Sequence, residues 1–123
     1  MSDAYKRELL AYLQQRIGPA RAITAKELAH MFFGNEASER TVREIIANLI
    51  TEDGHGEICA NPGGEAFKGY PQGYFWADDW RQIDAYYNQL VSRYDEIRHR
   101  MNAAWDARQR LARAPRQQAA MPI

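Results

Sequence analysis

The amino-acid sequence predicts a mainly α fold that carries a small β-hairpin and ends in a long, coiled-coil-like helix. Three observations lead to it. Residues 24–50 hold two short helical patterns separated by a glycine break. Residues 57–77 hold two β-type runs on either side of a loop rich in glycine and proline. From Trp80 onward, apolar residues recur at alternating steps of three and four. At 123 residues the chain accommodates one domain, or one small domain with an extension. The expected boundaries are a domain over 1–77, the long helix over 78–111 and a flexible tail over 112–123.

Ser2 or Asp3 can cap a first helix, along which Tyr5, Leu9, Leu10, Leu13 and Ile17 recur at helical spacing until Gly18-Pro19 ends it. Ala20 to Ile23 reads as a linker. Thr24-Ala25-Lys26-Glu27 is a capping-box pattern: the Thr24 hydroxyl accepts from the Glu27 amide while the Glu27 carboxylate reaches back to the Thr24 amide. Leu28, Met31 and Phe32 form the expected buried stripe of this second helix, and Phe33-Gly34-Asn35 breaks it. Ser38 is the next cap candidate. Val42, Ile45, Ile46 and Leu49 then follow at i, i+3, i+4 and i+7, with Arg40, Thr41, Arg43, Glu44, Ala47 and Asn48 on the opposite face. Gly54 and Gly56 close the third helix.

Glu57 to Ala60 and Tyr74 to Ala77 read as two strands of a hairpin, with Asn61-Pro62-Gly63-Gly64 opening its long tip. Asp78-Asp79 places negative charge where the macrodipole of a following helix favours it. That helix is expected to reach about Leu111, a length of roughly 50 Å. Trp80, Ile83, Tyr87, Leu90, Tyr94, Ile97, Met101 and Ala104 form an a/d heptad seam along it. The seam has two readings: a parallel or antiparallel coiled-coil homodimer, or packing against the first helix through its Tyr5, Leu9, Leu13 and Ile17 face. A mixture is expected, in which Trp80 to Leu90 pack on the domain and the part from Tyr94 to Leu111 meets a second chain. Tyr87, Leu90, Tyr94, Ile97, Met101 and Leu111 are the dimerisation candidates.

Composition narrows the function. With 46% hydrophobic and 26% charged residues the chain has a globular balance, and it contains no apolar run long enough to span a membrane. Met1 to Lys6 lacks a signal-peptide apolar core, and the single cysteine, Cys59, has no internal disulfide partner, so a cytoplasmic location is expected. The formal net charge of zero argues against strong non-specific nucleic-acid binding. It conceals an asymmetry: residues 81–123 hold eight arginines and four acids, a net +4, and residues 1–80 carry the opposite charge.

His30, His55 and His99 with Cys59 lack the paired close spacing of a zinc site, so no metal is expected. The sequence has no G-x-S-x-G, Walker loop, Rossmann fingerprint or H-E-x-x-H. An enzyme, a cofactor and a small-molecule substrate are therefore not expected.

Thr24-Ala25-Lys26-Glu27-Leu28-Ala29, Ser38-Glu39-Arg40-Thr41-Val42-Arg43-Glu44-Ile45-Ile46 and the hairpin ending Gly73-Tyr74-Phe75-Trp76 together resemble the winged helix-turn-helix family. They are similar in particular to small phage and prophage winged-helix proteins with an appended helix. The resemblance covers about half the chain. It implies that Ser38 to Ile50 is a recognition helix and the loop from Pro62 to Gln72 a wing. It also implies sequence-specific binding of double-stranded DNA by a dimeric regulator or phage accessory protein. Arg40, Thr41, Arg43, Glu44 and Asn48 are then the candidate contacts to bases or phosphates, since Arg grips guanine and Asn grips adenine bidentately. Arg21, Lys26 and Lys68 would position the phosphate backbone. The wing departs from the family pattern in carrying one cation, Lys68, beside Glu65. The alternative for the third helix is a solvated face with local ion pairs. The alternative for the whole chain is a protein-interaction module, an inhibitor or adaptor, that uses Phe67, Tyr70, Tyr74 and Tyr86 as anchors. A third option stacks single-stranded nucleic acid on the wing aromatics with help from the arginine-rich tail, Arg108 to Arg116.

Overall fold

The computed structural model describes residues 3–34 and 38–113. Ser2, Asn35 and Arg116, and the side chain of Asp3, lie outside the described residues, and with them the expected first cap and most of the expected tail. The described chain is mainly helical: α1 (Asp3–Leu13), α2 (Ala25–Phe33), α3 (Glu39–Thr51), a hairpin of β1 (Ile58–Asn61) and β2 (Gly73–Trp76), and α4 (Trp80–Arg113). No helix among the described residues is long and apolar enough to cross a membrane. The chain divides into two compact units, residues 1–87 and 88–123, so the first two turns of α4 belong to the N-terminal unit.

The capping box forms as its sequence dictates. Thr24 Oγ1 accepts from the Glu27 amide at 3.1 Å, and the Thr24 amide donates to Glu27 Oε1 at 3.2 Å. Gly34 ends α2 in the left-handed conformation, at φ 75°, and donates its amide to the His30 carbonyl. In α2 the inward row is Ala25, Leu28 and Ala29, with Phe32 half-buried. Met31, expected in the stripe, is exposed. Two alanines hold the inward positions, so Met31 falls one position off the packed face.

α3 buries Val42, Ile45, Ile46 and Leu49, the face its spacing predicts. Ser38 stands at its N-cap position but makes no side-chain cap bond. Its backbone, at φ −89° and ψ 8°, lies outside the extended region from which a cap hydroxyl reaches inward. After Thr51 the chain turns through Gly54, and the Asn48 carbonyl accepts from both Glu52 and Asp53 amides.

β2 is the centre of the small sheet. On one edge it pairs antiparallel with β1, in the register Ile58 to Trp76, Cys59 to Phe75, Ala60 to Tyr74 and Asn61 to Gly73. β1 begins one residue later than expected and β2 one residue earlier. On its other edge Ile23 pairs antiparallel with Tyr74, through bonds of 2.7 and 2.9 Å, and Ile17 bridges in parallel to Trp76. This is why α1 stops at Leu13 rather than continuing to Ile17. The Arg16 carbonyl and the Gly18 amide are taken by Trp76 at 2.8 and 2.9 Å. An edge that would otherwise expose a row of unpaired amides is thereby satisfied.

Strand alternation divides the core into two clusters. Ile58 faces the helices and packs with Leu9, Leu13, Ile23, Leu28, Val42, Ile45 and Leu49. Cys59 and Phe75 face the other way and pack with Ala22, Phe67 and Ala77, against which Ala85 and Tyr86 of α4 lie. Trp80, Ile83 and Tyr87 were expected to pack on the domain, yet all three are exposed. Ala85 lies opposite the a/d seam on the helix and Tyr86 beside it, so the first two turns of α4 dock by their back and leave Trp80, Ile83 and Tyr87 in solvent.

Burial of Cys59 has a chemical consequence. Its thiol is fully buried, and desolvation pushes its pKa from 9.0 to about 11. The folded state therefore holds this proton more tightly than the unfolded chain. The associated stability is present in full below pH 9 and is lost as the pH rises toward 11. Native protein at pH 8 is expected to leave a thiol reagent unreacted, with one equivalent reacting after unfolding in urea. Rapid native labelling would contradict the burial.

Candidate functional site

Opposite the buried row of α3 stands a polar face. Arg40, Arg43, Glu44, Ala47 and Asn48 are exposed and Thr41 is half-buried. The structure brings these residues together because four apolar side chains at helical spacing fix the rotation of α3. The arginines are not free. Arg40 Nε donates to Glu44 Oε1 at 3.2 Å, and Arg43 is ion-paired with Glu39, each pair one helical turn apart. The Arg40 side chain is 91% exposed, so its pair contributes a few tenths of a kcal/mol at most and opens readily.

Arg43 and Glu39 also act on Tyr74 of β2. The phenol pKa is raised, first by burial, with Arg43 opposing the shift and Glu39 adding to it. One edge of the polar face of α3 therefore borders the hairpin.

The remaining candidate cations stand on three other elements. Arg21 ends the 3₁₀ turn Pro19–Arg21, where its carbonyl accepts from Arg16 Nε at 2.9 Å. Lys26 is exposed in the first turn of α2. Lys68 is exposed just after the loop's 3₁₀ turn, Glu65–Phe67.

The loop between the strands is held from within by Asn61. This side chain is 2% exposed. Its Nδ2 lies 3.3, 3.2 and 2.9 Å from the carbonyls of Phe67, Tyr70 and Pro71, and its Oδ1 accepts from the Gly63 amide at 2.9 Å. Phe67 folds inward and meets Phe75 edge to face, with ring centroids 5.2 Å apart. An open concavity of about 360 Å³ lies along the loop, with Glu65, Lys68, Tyr70 and Gln72 in its lining.

Of the aromatics expected to form a docking surface, Phe67 is buried, Tyr74 and Tyr86 are half-buried, and Tyr70 is exposed. Sequence reasoning missed Asn61. Its signal was present as an asparagine just before Pro62-Gly63-Gly64, a residue type that bonds the backbone two residues on.

In the C-terminal unit, Leu90, Tyr94, Ile97, Met101 and Leu111 are 40% to 65% exposed, and Tyr87 at the end of the N-terminal unit is equally open. Trp105 is a further exposed aromatic, with the Arg108 guanidinium 5.2 Å from its ring centroid. Among the described residues no cluster of His, Cys, Asp and Glu is arranged to hold a metal ion.

Compared with known proteins, the chain matches no family model, no curated protein and no solved structure.

Proposed function

We propose that the chain is a winged helix-turn-helix protein that binds double-stranded DNA as a dimer, in the manner of a small regulator or phage accessory protein. The observation that carries this reading is the outward face of α3, where Arg40, Arg43 and Asn48 stand exposed on a helix locked by Val42, Ile45, Ile46 and Leu49. A helix so presented fits a major groove, with residues near its N-terminus closest to base edges. The element order supports the reading as well. An α1, a paired extended segment at Ile23, α2, α3 and a hairpin follow one another as in that family. On this reading Arg40, Thr41, Arg43 and Asn48 read bases, Glu44 holds Arg40 until DNA displaces it, and Arg21, Lys26 and Lys68 contact phosphates.

The ion pairs of α3 predict a distinctive response. Glu44→Gln releases Arg40 and removes a negative charge, so it is expected to tighten DNA binding about threefold at low salt. The test is fluorescence anisotropy with pooled random duplex DNA at low and physiological salt. Affinity that falls steeply with salt is expected, because each phosphate contact releases counterions. No binding at low salt would exclude the reading.

One observation favours a second reading, a protein-interaction module on the same scaffold. Each arginine on the outer face of α3 already has a glutamate partner, so that face is nearly neutral. Binding to a protein through such a face would change little with salt.

A further inference from the structure

Among the described residues nothing covers the a/d seam of α4, a row that is apolar except at Arg108. Trp80, Ile83, Tyr87, Leu90, Tyr94, Ile97, Met101 and Leu111 are all between 38% and 70% exposed. A helix that leaves such a row in water gains by pairing. Charge and side-chain size along the helix determine which partner fits, and in which direction.

We infer that the seam is covered by a second copy of this chain, running antiparallel, with Tyr87 of each chain against the partner's Ala104. In this register Trp80 meets the partner's Leu111, Ile83 the partner's Arg108, Leu90 the partner's Met101 and Tyr94 the partner's Ile97. Every a or d residue from 80 to 111 then has a counterpart, and the two-fold axis falls between Tyr94 and Ile97. The bulky Tyr87 is accommodated by the smallest seam residue, Ala104.

A parallel pairing stacks each seam residue on itself. Tyr87 would meet the partner's Tyr87, and Ala104 would leave a gap against the partner's Ala104. Charge disfavours it further. Arg108 would face the partner's Arg108 inside the seam, and the flanking positions would set Asp79 against the partner's Asp84 and Arg93 against the partner's Arg98. The antiparallel pairing reverses this. The start of the helix, with Asp79 and Asp84, lies along the basic end that holds Arg108, Arg110 and Arg113. Asp84 comes beside the partner's Arg108 and neutralises the one charged seam position. One like-charged contact remains, between Arg93 and the partner's Arg100; Glu96 already binds Arg100, as Arg81 binds Asp79 and Asp95 binds Arg98, so Arg108 is the charge that decides the direction.

The inference deepens the dimeric reading proposed above, and its test contains no DNA, so it can fail while DNA binding stands. Two full-length variants are made, Tyr87→Cys and Ala104→Cys. Both positions are exposed, and the native Cys59 is fully buried and stays out of the exchange. The variants are oxidised alone and after mixing, with helicity checked by circular dichroism. The expected result is a covalent dimer in the mixture and little or none in either variant alone. Cross-linking within each variant alone means a parallel pair and overturns the inference, as does the absence of any cross-link in the mixture. A single-chain mass for the wild type by light scattering at micromolar concentration would overturn it as well. A charge exchange adds a second readout. Arg108→Asp is expected to weaken the dimer about tenfold, and adding Asp84→Arg to the same chain is expected to restore it.

Discussion

Gly73→Ala is expected to destabilise the N-terminal unit by about 3 kcal/mol or more. Gly73 begins β2 with φ at 128°, a conformation that residues with a Cβ rarely adopt. Space is the second cause. A Cβ there would overlap the carbonyl carbon and oxygen of Ile23 and lie 2.7 Å from the Thr24 nitrogen. These are backbone atoms and cannot swing aside as a side chain can. Moving them would pull Ile23 from Tyr74 and displace Thr24, the cap of α2. The strain therefore reaches both the sheet edge and the start of α2. Urea unfolding followed by circular dichroism measures the effect, and a midpoint equal to that of the wild type would refute the close approach. Gly64 is the control: its φ is negative and a Cβ there meets nothing within 4 Å, so Gly64→Ala is expected to be nearly neutral.

Asn61→Ala is expected to cost about 2–3 kcal/mol. The substitution removes the only buried polar side chain among the described residues and leaves the Phe67, Tyr70 and Pro71 carbonyls and the Gly63 amide without it. A second effect follows from position. Phe67 reaches Phe75 because the loop is drawn inward at its own carbonyl, so the second core cluster loosens with the loop. Asn61→Asp is expected to be at least as harmful, since a carboxylate would face carbonyl oxygens with no proton to share. Limited proteolysis should cut the variants between Pro62 and Gln72 well before the wild type. Unchanged stability and unchanged cleavage together would mean that the loop is held by other contacts.

Much of the fold was legible in the sequence because local rules and tertiary packing agree. Val42, Ile45, Ile46 and Leu49 state the inward face of α3 by spacing alone, and Thr24 with Glu27 states where α2 begins. Several of the expectations that failed depend on distant partners. Nothing local says that Ile17 leaves α1 to bridge Trp76, because the donor and acceptor that draw it lie some sixty residues away. Met31 reads as apolar at helical spacing, yet two alanines take the inward row of α2. Asn61 looked like a turn former, and its burial exists only once the loop folds over it. In α4 the heptad period was legible, whereas the side that meets the domain was not. Ala85 and Tyr86 dock because the second cluster happens to present Phe67 and Phe75 there.

The candidate site was legible to a lesser degree. The residues of the α3 face follow from its period, but the pairing of Arg40 with Glu44 and of Arg43 with Glu39 is a competition between surface partners that spacing permits without requiring. That competition is also what a DNA phosphate would enter. The most direct test of the α3 reading is therefore the double variant Arg40→Ala/Arg43→Ala, compared with wild type by fluorescence anisotropy on duplex DNA at low salt. Its folding would be verified by an unchanged urea midpoint. Binding weakened by about 2 kcal/mol or more, with a shallower salt dependence, is the expected result. Binding indistinguishable from wild type in a folded double variant would contradict it and remove α3 as the DNA-contacting surface.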